Sequence, residues 1–233
     1  YLKPFWEGNI PLEKNALLGK INQAVGDFNA LNIIEKNYPT VGIVGEIYVK
    51  FNAFSNNYVA DWLMEQNIEV VQPAFLEFFT GGLVLMDNRV RTNLKRPDFL
   101  WVLSLLGKKL LRGFLNEVDG IMQKYRHYSP YHDIQEIAKR AKEVISLNHQ
   151  YGEGWLIAGE IASFVEAGIN NVLCLQPFGC IANHVVAKGV EKRMKELYPQ
   201  LNLLFLDADA GVSEVNFFNR MHFFINHAKA AQI

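Results

Sequence analysis

The sequence predicts an α/β protein, a small doubly wound parallel sheet of about four strands with a helical insertion. Three observations carry this. Four aliphatic runs, VGIVGEIYV (41–49), IEVVQP (68–73), NVLCLQ (171–176) and LNLLFLDAD (201–209), read as strands buried on both faces, as parallel strands are. Segments with helical spacing separate them. The composition is that of a globular chain: 233 residues, 50% hydrophobic and 20% charged. That length supports one large domain, or one domain with an insertion.

Residues 1–38 form a helical lead-in. Apolar residues at 17, 18, 21, 25, 28 and 31 have helical spacing, and Pro39 ends the segment. The Rossmann-like domain then spans 39–233, with the helical insertion at 75–150. After the first strand, Ser55 or Asn56 can cap a helix over 57–66, completing a β-α-β unit of about 30 residues. Within the insertion, FLEFFTGGLVLM is helical but interrupted at Gly81 and Gly82. Residues 97–128 form a long basic amphipathic helix starting at Pro97. Residues 129–148 form another, with Ser129 as cap and Pro130 in the first turn. The α/β rhythm returns with helices at 152–168, 182–199 and 211–230, the first closed by Gly168 and the last capped by Ser213. The expected strand order is 2-1-3-4.

Composition narrows the function classes. A net charge of −1 provides no bulk field for nucleic acid or an anionic membrane. The longest apolar run, FLWVLSLLG (99–107), is too short to span a bilayer, which needs about 20 residues. The start lacks the pattern of a secretory signal. The chain opens on Tyr1, so we expect a fragment or processed product with further sequence upstream. Two cysteines, Cys174 and Cys180, are too few for a disulfide scaffold, and their C-x5-C spacing is no zinc signature. The expected compartment is the cytoplasm.

Ligands of open parallel sheets bind beyond the carboxyl ends of the strands, near the switch in strand order. That edge collects Glu46, Tyr48, Lys50 and Asn52 after the first strand and Gln72 after the second. The third strand is followed by Gln176 through Cys180, and the fourth ends at Asp207 and Asp209. The turn GEG (152–154) falls on the same edge. Cys180 opens a helix, where free backbone N–H groups favour a thiolate, so it is a candidate metal ligand or nucleophile; the alternative is an inert buried thiol. Glu46 interrupts a buried run and needs a partner or a role; the alternative is that the strand ends before it. Gly152 and Gly154 could offer N–H groups to an anion, though a plain turn has the same sequence. One of Asp207 and Asp209 is expected to serve only a cap or loop role. His184, one turn past Cys180, is a candidate ligand or base, against the commoner helix-surface histidine.

VGIVGEIYVKFNAFSNN, GEGWLIAGEI, LQPFGCIANHVVAKG and FLDADAGVSEVNFFNR together resemble the 2-hydroxyacyl-CoA dehydratase family (the 2-hydroxyglutaryl-CoA dehydratase D-component), in particular the dehydratase-like portion of activase-fused proteins. The resemblance runs from about 39 to about 226. It implies Rossmann-like or flavodoxin-like α/β domains and a [4Fe-4S] cluster held by cysteines from more than one part of the chain. It also implies an ATP-driven activase domain or subunit that injects one electron, and an acyl-CoA as substrate class. The cluster-ligand role would fall on Cys180. With one well-placed cysteine here, the other ligands would come from an upstream domain or another subunit, in a homo- or hetero-oligomer. Glu46 would then be a hydrogen-bonding or proton-transfer group, with Gly152, Gly154 and Asp207 lining the cofactor cleft. The alternative is a non-catalytic scaffold or interaction domain that keeps the fold without a cluster and docks partners through the 97–148 helices. A nucleotide-binding domain is disfavoured, because the loop after the first strand lacks the glycines for pyrophosphate approach.

Overall fold

The computed structural model describes residues 1–11, 13–33, 36–129, 133–149 and 152–230. In chain order, α1 is Lys3–Trp6, α2 Lys14–Asn29, β1 Thr40–Gly45, α3 Ile47–Phe51, α4 Val59–Glu65, β2 Glu69–Val71, α5 Phe75–Arg91, α6 Phe99–Met122 and α7 Ile134–Val144. Then come α8 Trp155–Glu166, β3 Asn171–Gln176, a π-helical turn over Ala182–Ala187, α9 Glu191–Leu197, β4 Asn202–Asp207 and α10 Glu214–Ala230.

The sheet is all parallel, ordered β2-β1-β3-β4, as the sequence predicts. Both central strands are buried along nearly their whole length. On one face Ile43, Leu173, Leu175 and Leu206 meet α4 through Val59 and Leu63 and α10 through Phe217, Met221 and Ile225. On the other face Val44, Val172, Cys174 and Phe205 meet α8 through Ile157 and Ile161 and α9 through Met194. Helices on both faces explain the absence of a polar alternation in β1 and β3.

The chain divides into two compact units. One comprises 1–36 and 97–131, the other 37–96 and 132–233. The lead-in helix α2 therefore packs on α6 from the middle of the insertion. The rest of the insertion, α5 and α7, belongs to the α/β unit, where Val84, Ile137, Ala141 and Trp155 form a third core cluster.

Several boundaries differ from the sequence reading. The first strand stops at Gly45 and not at 49. Gly45 has φ +127°, and a Cβ there would lie 1.9 Å from the Leu175 carbonyl oxygen, so only glycine fits where the backbones of β1 and β3 meet. α5 runs unbroken through Gly81 and Gly82. Its stripe Thr80, Val84 and Asn88 is buried, and that packing outweighs a propensity loss of about 1 kcal/mol per glycine. Asp98 caps α6 by accepting from the Trp101 N–H at 2.9 Å. Asp133 caps α7, so that helix starts later than the expected Ser129; Pro130 lies outside the described residues. The cap position of α4 is held by Tyr58 with no side-chain cap, not by Ser55 or Asn56; Asn56, two residues before it, accepts at Oδ1 from the Val59 N–H at 3.2 Å. The expected helix 182–199 is two pieces, broken near Gly189. Among the described residues, no helix is long and apolar enough to cross a membrane.

Candidate functional site

The carboxyl edge of the sheet draws three predicted segments together. β1 ends where the Glu46 N–H donates to the Leu175 carbonyl at 3.0 Å, which ties the segment to β3. Glu46 then caps α3, its Oε2 accepting from the Val49 N–H at 2.9 Å. It is therefore a half-buried cap just past the strand and not an interruption within it. The GEG turn reaches both neighbours. Glu153, 6% exposed, accepts from the Ile47 N–H at 2.9 Å. A Cβ on Gly152 would sit 3.0 Å from the Ala182 Cβ. Gly152 and Gly154 have φ +58° and +40°, so the turn needs both glycines. The buried Glu153 carboxylate places the chain's own negative charge within this turn, in competition with any external anion.

Cys180 stands beyond β3, half-buried, at the start of the helix that opens with the π-helical turn. Its carbonyl accepts from the His184 N–H at 2.8 Å, and its Sγ donates to Asn183 Oδ1 at 3.5 Å. Asn183 is fully buried and anchors this helix start by donating to the Leu175 carbonyl at 3.3 Å. The two thiols thus have different settings. Cys174 is wholly buried in the core, and burial pushes its thiol well above the ordinary range, so it stays protonated.

Asp207 ends β4 and accepts from Gln176 Nε2 at 2.7 Å. His184 joins this pair, with its Nε2 3.4 Å from Asp207 Oδ1 and its ring edge-on to Phe178. The His184 Nε2 makes no hydrogen bond among the described residues. Gln176 is 1% exposed, and its Oε1 is likewise unpartnered among the described residues. His184 therefore faces the β3–β4 rim and not open solvent. Asp209 is the one that serves its own loop, accepting from the Ala210 N–H at 2.8 Å.

Beneath the β1 side of this rim lies a buried ionic cluster that the sequence reading missed. Lys50 Nζ donates to both carboxylate oxygens of Glu160, at 3.0 and 3.2 Å, with both side chains almost wholly buried. Glu77 of α5 is 4% exposed and accepts from the Ala74 N–H at 3.3 Å. Burial first, and the neighbouring Glu160 second, push the Glu77 carboxyl up to about 8. Burial also raises Glu160, against the pull of Lys50. The signal was present in the sequence. A carboxylate interrupts the apolar helix WLIAGEIASFV, and another interrupts FLEFF.

Among the described residues, no three His, Cys, Asp or Glu side chains gather so as to hold a metal ion. A cubane cluster needs four ligands. The described residues therefore do not fit a complete cluster, and Cys180 is the one partly exposed thiol among them.

No family model matches the chain, and neither the curated proteins nor the solved structures include a match.

Proposed function

We propose that this chain is the cluster-contributing domain of a 2-hydroxyacyl-CoA dehydratase-like or activase-related iron-sulfur protein, and that Cys180 is the thiolate it contributes. The observation that carries the reading is the setting of Cys180. It is the thiol outside the core, it follows the central strand β3, and it stands where ligands of parallel sheets bind. When bound, the cluster would supply a low-potential electron to an acyl-CoA thioester. The chain's own part is to fix the rim. Asn183 orients Cys180, Glu46 and the GEG turn hold the β1 side against β3, and Asp207 with Gln176 holds the β4 side. The remaining ligands, the activase and the acyl-CoA belong to polypeptide and substrate outside these 233 residues, and a cytoplasmic location is part of the same proposal. The scaffold alternative calls for an exposed apolar patch on the 97–148 helices together with an occluded Cys180; α6 carries such a patch, and it is the partial exposure of Cys180 that supports the cluster reading over the scaffold one.

The test is iron and acid-labile sulfide in the parent polypeptide, purified without oxygen, against its Cys180→Ser variant. Circular dichroism confirms that the variant folds. Loss of both elements in the variant is the expected result. Iron absent from both proteins, or present and indifferent to Cys180, would overturn the proposal.

A further inference from the structure

The first turn of α5 is held down by a carboxyl group. Its aromatic residues Phe75 and Phe79 are exposed, and Glu77 is the side chain of that turn that is buried. Glu77 enters a closed space that already holds an opposed pair. Both oxygens of Glu160, from α8, accept from the Lys50 ammonium of α3, so that pair is neutral by itself. Two buried carboxylates against one buried ammonium would leave an uncompensated charge, which an apolar interior does not tolerate. The proton that balances the count belongs on Glu77, because Lys50 is committed to Glu160. The charges that act on Glu77 are Glu160, which raises it, and Lys50, which lowers it. Glu153, from the GEG turn, adds to the negative side through Glu160, and the buried Cys174 thiol stays protonated. α7 also packs on α5, but its Lys139 and Lys142 line a cleft with Asp87 and Arg91, at the other end of α5.

We propose that the proton on Glu77 is a latch: while it is bound, the first turn of α5 stays docked on α3 and α8, and its loss releases the turn and uncovers the β1 side of the carboxyl edge. The link to that edge is direct. Phe75 stands edge-on to Phe51, the last residue of α3, with ring centroids 5.0 Å apart. Just before α5, the Gln72 side chain donates to the Lys50 carbonyl at 3.3 Å. Release does not require α5 to unwind. An ionised Glu77 in water suits the start of a helix, where the dipole favours negative charge. Val84 and Asn88 keep the later turns buried. The direction with pH follows from the two states. Docked, the Glu77 carboxyl is raised from 4.5 to about 8; released, it returns to the ordinary range. Between those values only the released state gives up its proton, so release grows by about tenfold per pH unit and levels off above the docked value.

Thiol labelling with N-ethylmaleimide tests the latch in a Cys180→Ser chain that carries Thr80→Cys. Thr80 follows Glu77 by one turn and is 4% exposed, so a thiol there reacts when the turn is released. Cys174, wholly buried in β3, reports unfolding of the whole sheet in the same sample. Each rate is divided by that of a free cysteine peptide at the same pH, which removes the ionisation of the thiol itself. The corrected rate of the introduced thiol should rise by up to about fiftyfold from pH 6 to pH 8 and then level off, with Cys174 reacting far more slowly throughout. Adding Glu77→Gln should abolish the rise. Gly81→Cys, at a buried position where an added Cβ meets open space, provides the same reading should Thr80→Cys fail to fold. A corrected rate that stays flat with pH, a rise that survives Glu77→Gln, or an introduced thiol that reacts only together with Cys174 would overturn the proposal.

Discussion

Glu77→Gln should make the protein more stable in alkaline solution and nearly neutral in acid. Glu77 is buried beside Glu160, and its carboxyl is raised from 4.5 to about 8. Between those two values the unfolded chain releases a proton that the folded chain retains. Stability therefore falls as pH rises through this window, by about 1.4 kcal/mol per pH unit. From pH 6 to pH 9 the loss due to Glu77 is about 3 kcal/mol, which is an upper value because the buried site can relax or admit water. Glutamine keeps the oxygen that accepts from the Ala74 N–H and cannot ionise. The readout is the difference between variant and wild type in urea unfolding, followed by the fluorescence of the four tryptophans, of which Trp155 is buried, at several pH values. Titration of other groups largely cancels in that difference. The variant should gain up to about 3 kcal/mol on the wild type between pH 6 and pH 9. A difference that stays flat with pH would refute the burial argument. A variant destabilised equally at every pH would show that the ordinary hydrogen bonding of Glu77 matters and its proton does not.

Two further outcomes are expected. Lys50→Ala leaves Glu160 buried and unpaired and should destabilise by about 3–5 kcal/mol, whereas the double change Lys50→Met with Glu160→Met should recover most of that loss; equal urea midpoints for the single and double variants would contradict the pairing. Gly45→Ala combines a positive φ with a Cβ driven into the Leu175 carbonyl and should lose about 3 kcal/mol or more, against a change within about 1 kcal/mol for Gly189→Ala, where the added Cβ meets open space; thermal melts of the two variants compare them directly.

The strands and their order were legible because burial on both faces leaves continuous aliphatic runs, and short helical crossovers leave few ways to arrange four of them. The same logic placed Cys180, Glu46, the GEG turn and Asp207 at the carboxyl edge of the sheet. Local rules failed where distant parts of the chain meet. That β1 stops at Gly45 depends on the Leu175 carbonyl, 130 positions later in the chain. That α5 passes through two glycines depends on packing against α7. The lead-in joins the middle of the insertion because α2 buries its stripe on α6, a pairing that no local pattern specifies. The Lys50–Glu160–Glu77 cluster needed three segments folded onto one another before its members had partners. Periodicity reports whether a residue faces inward. Which groups it then meets, and whether its charge survives there, is a property of the assembled fold, because desolvation and Coulomb terms depend on distances that sequence separation does not set.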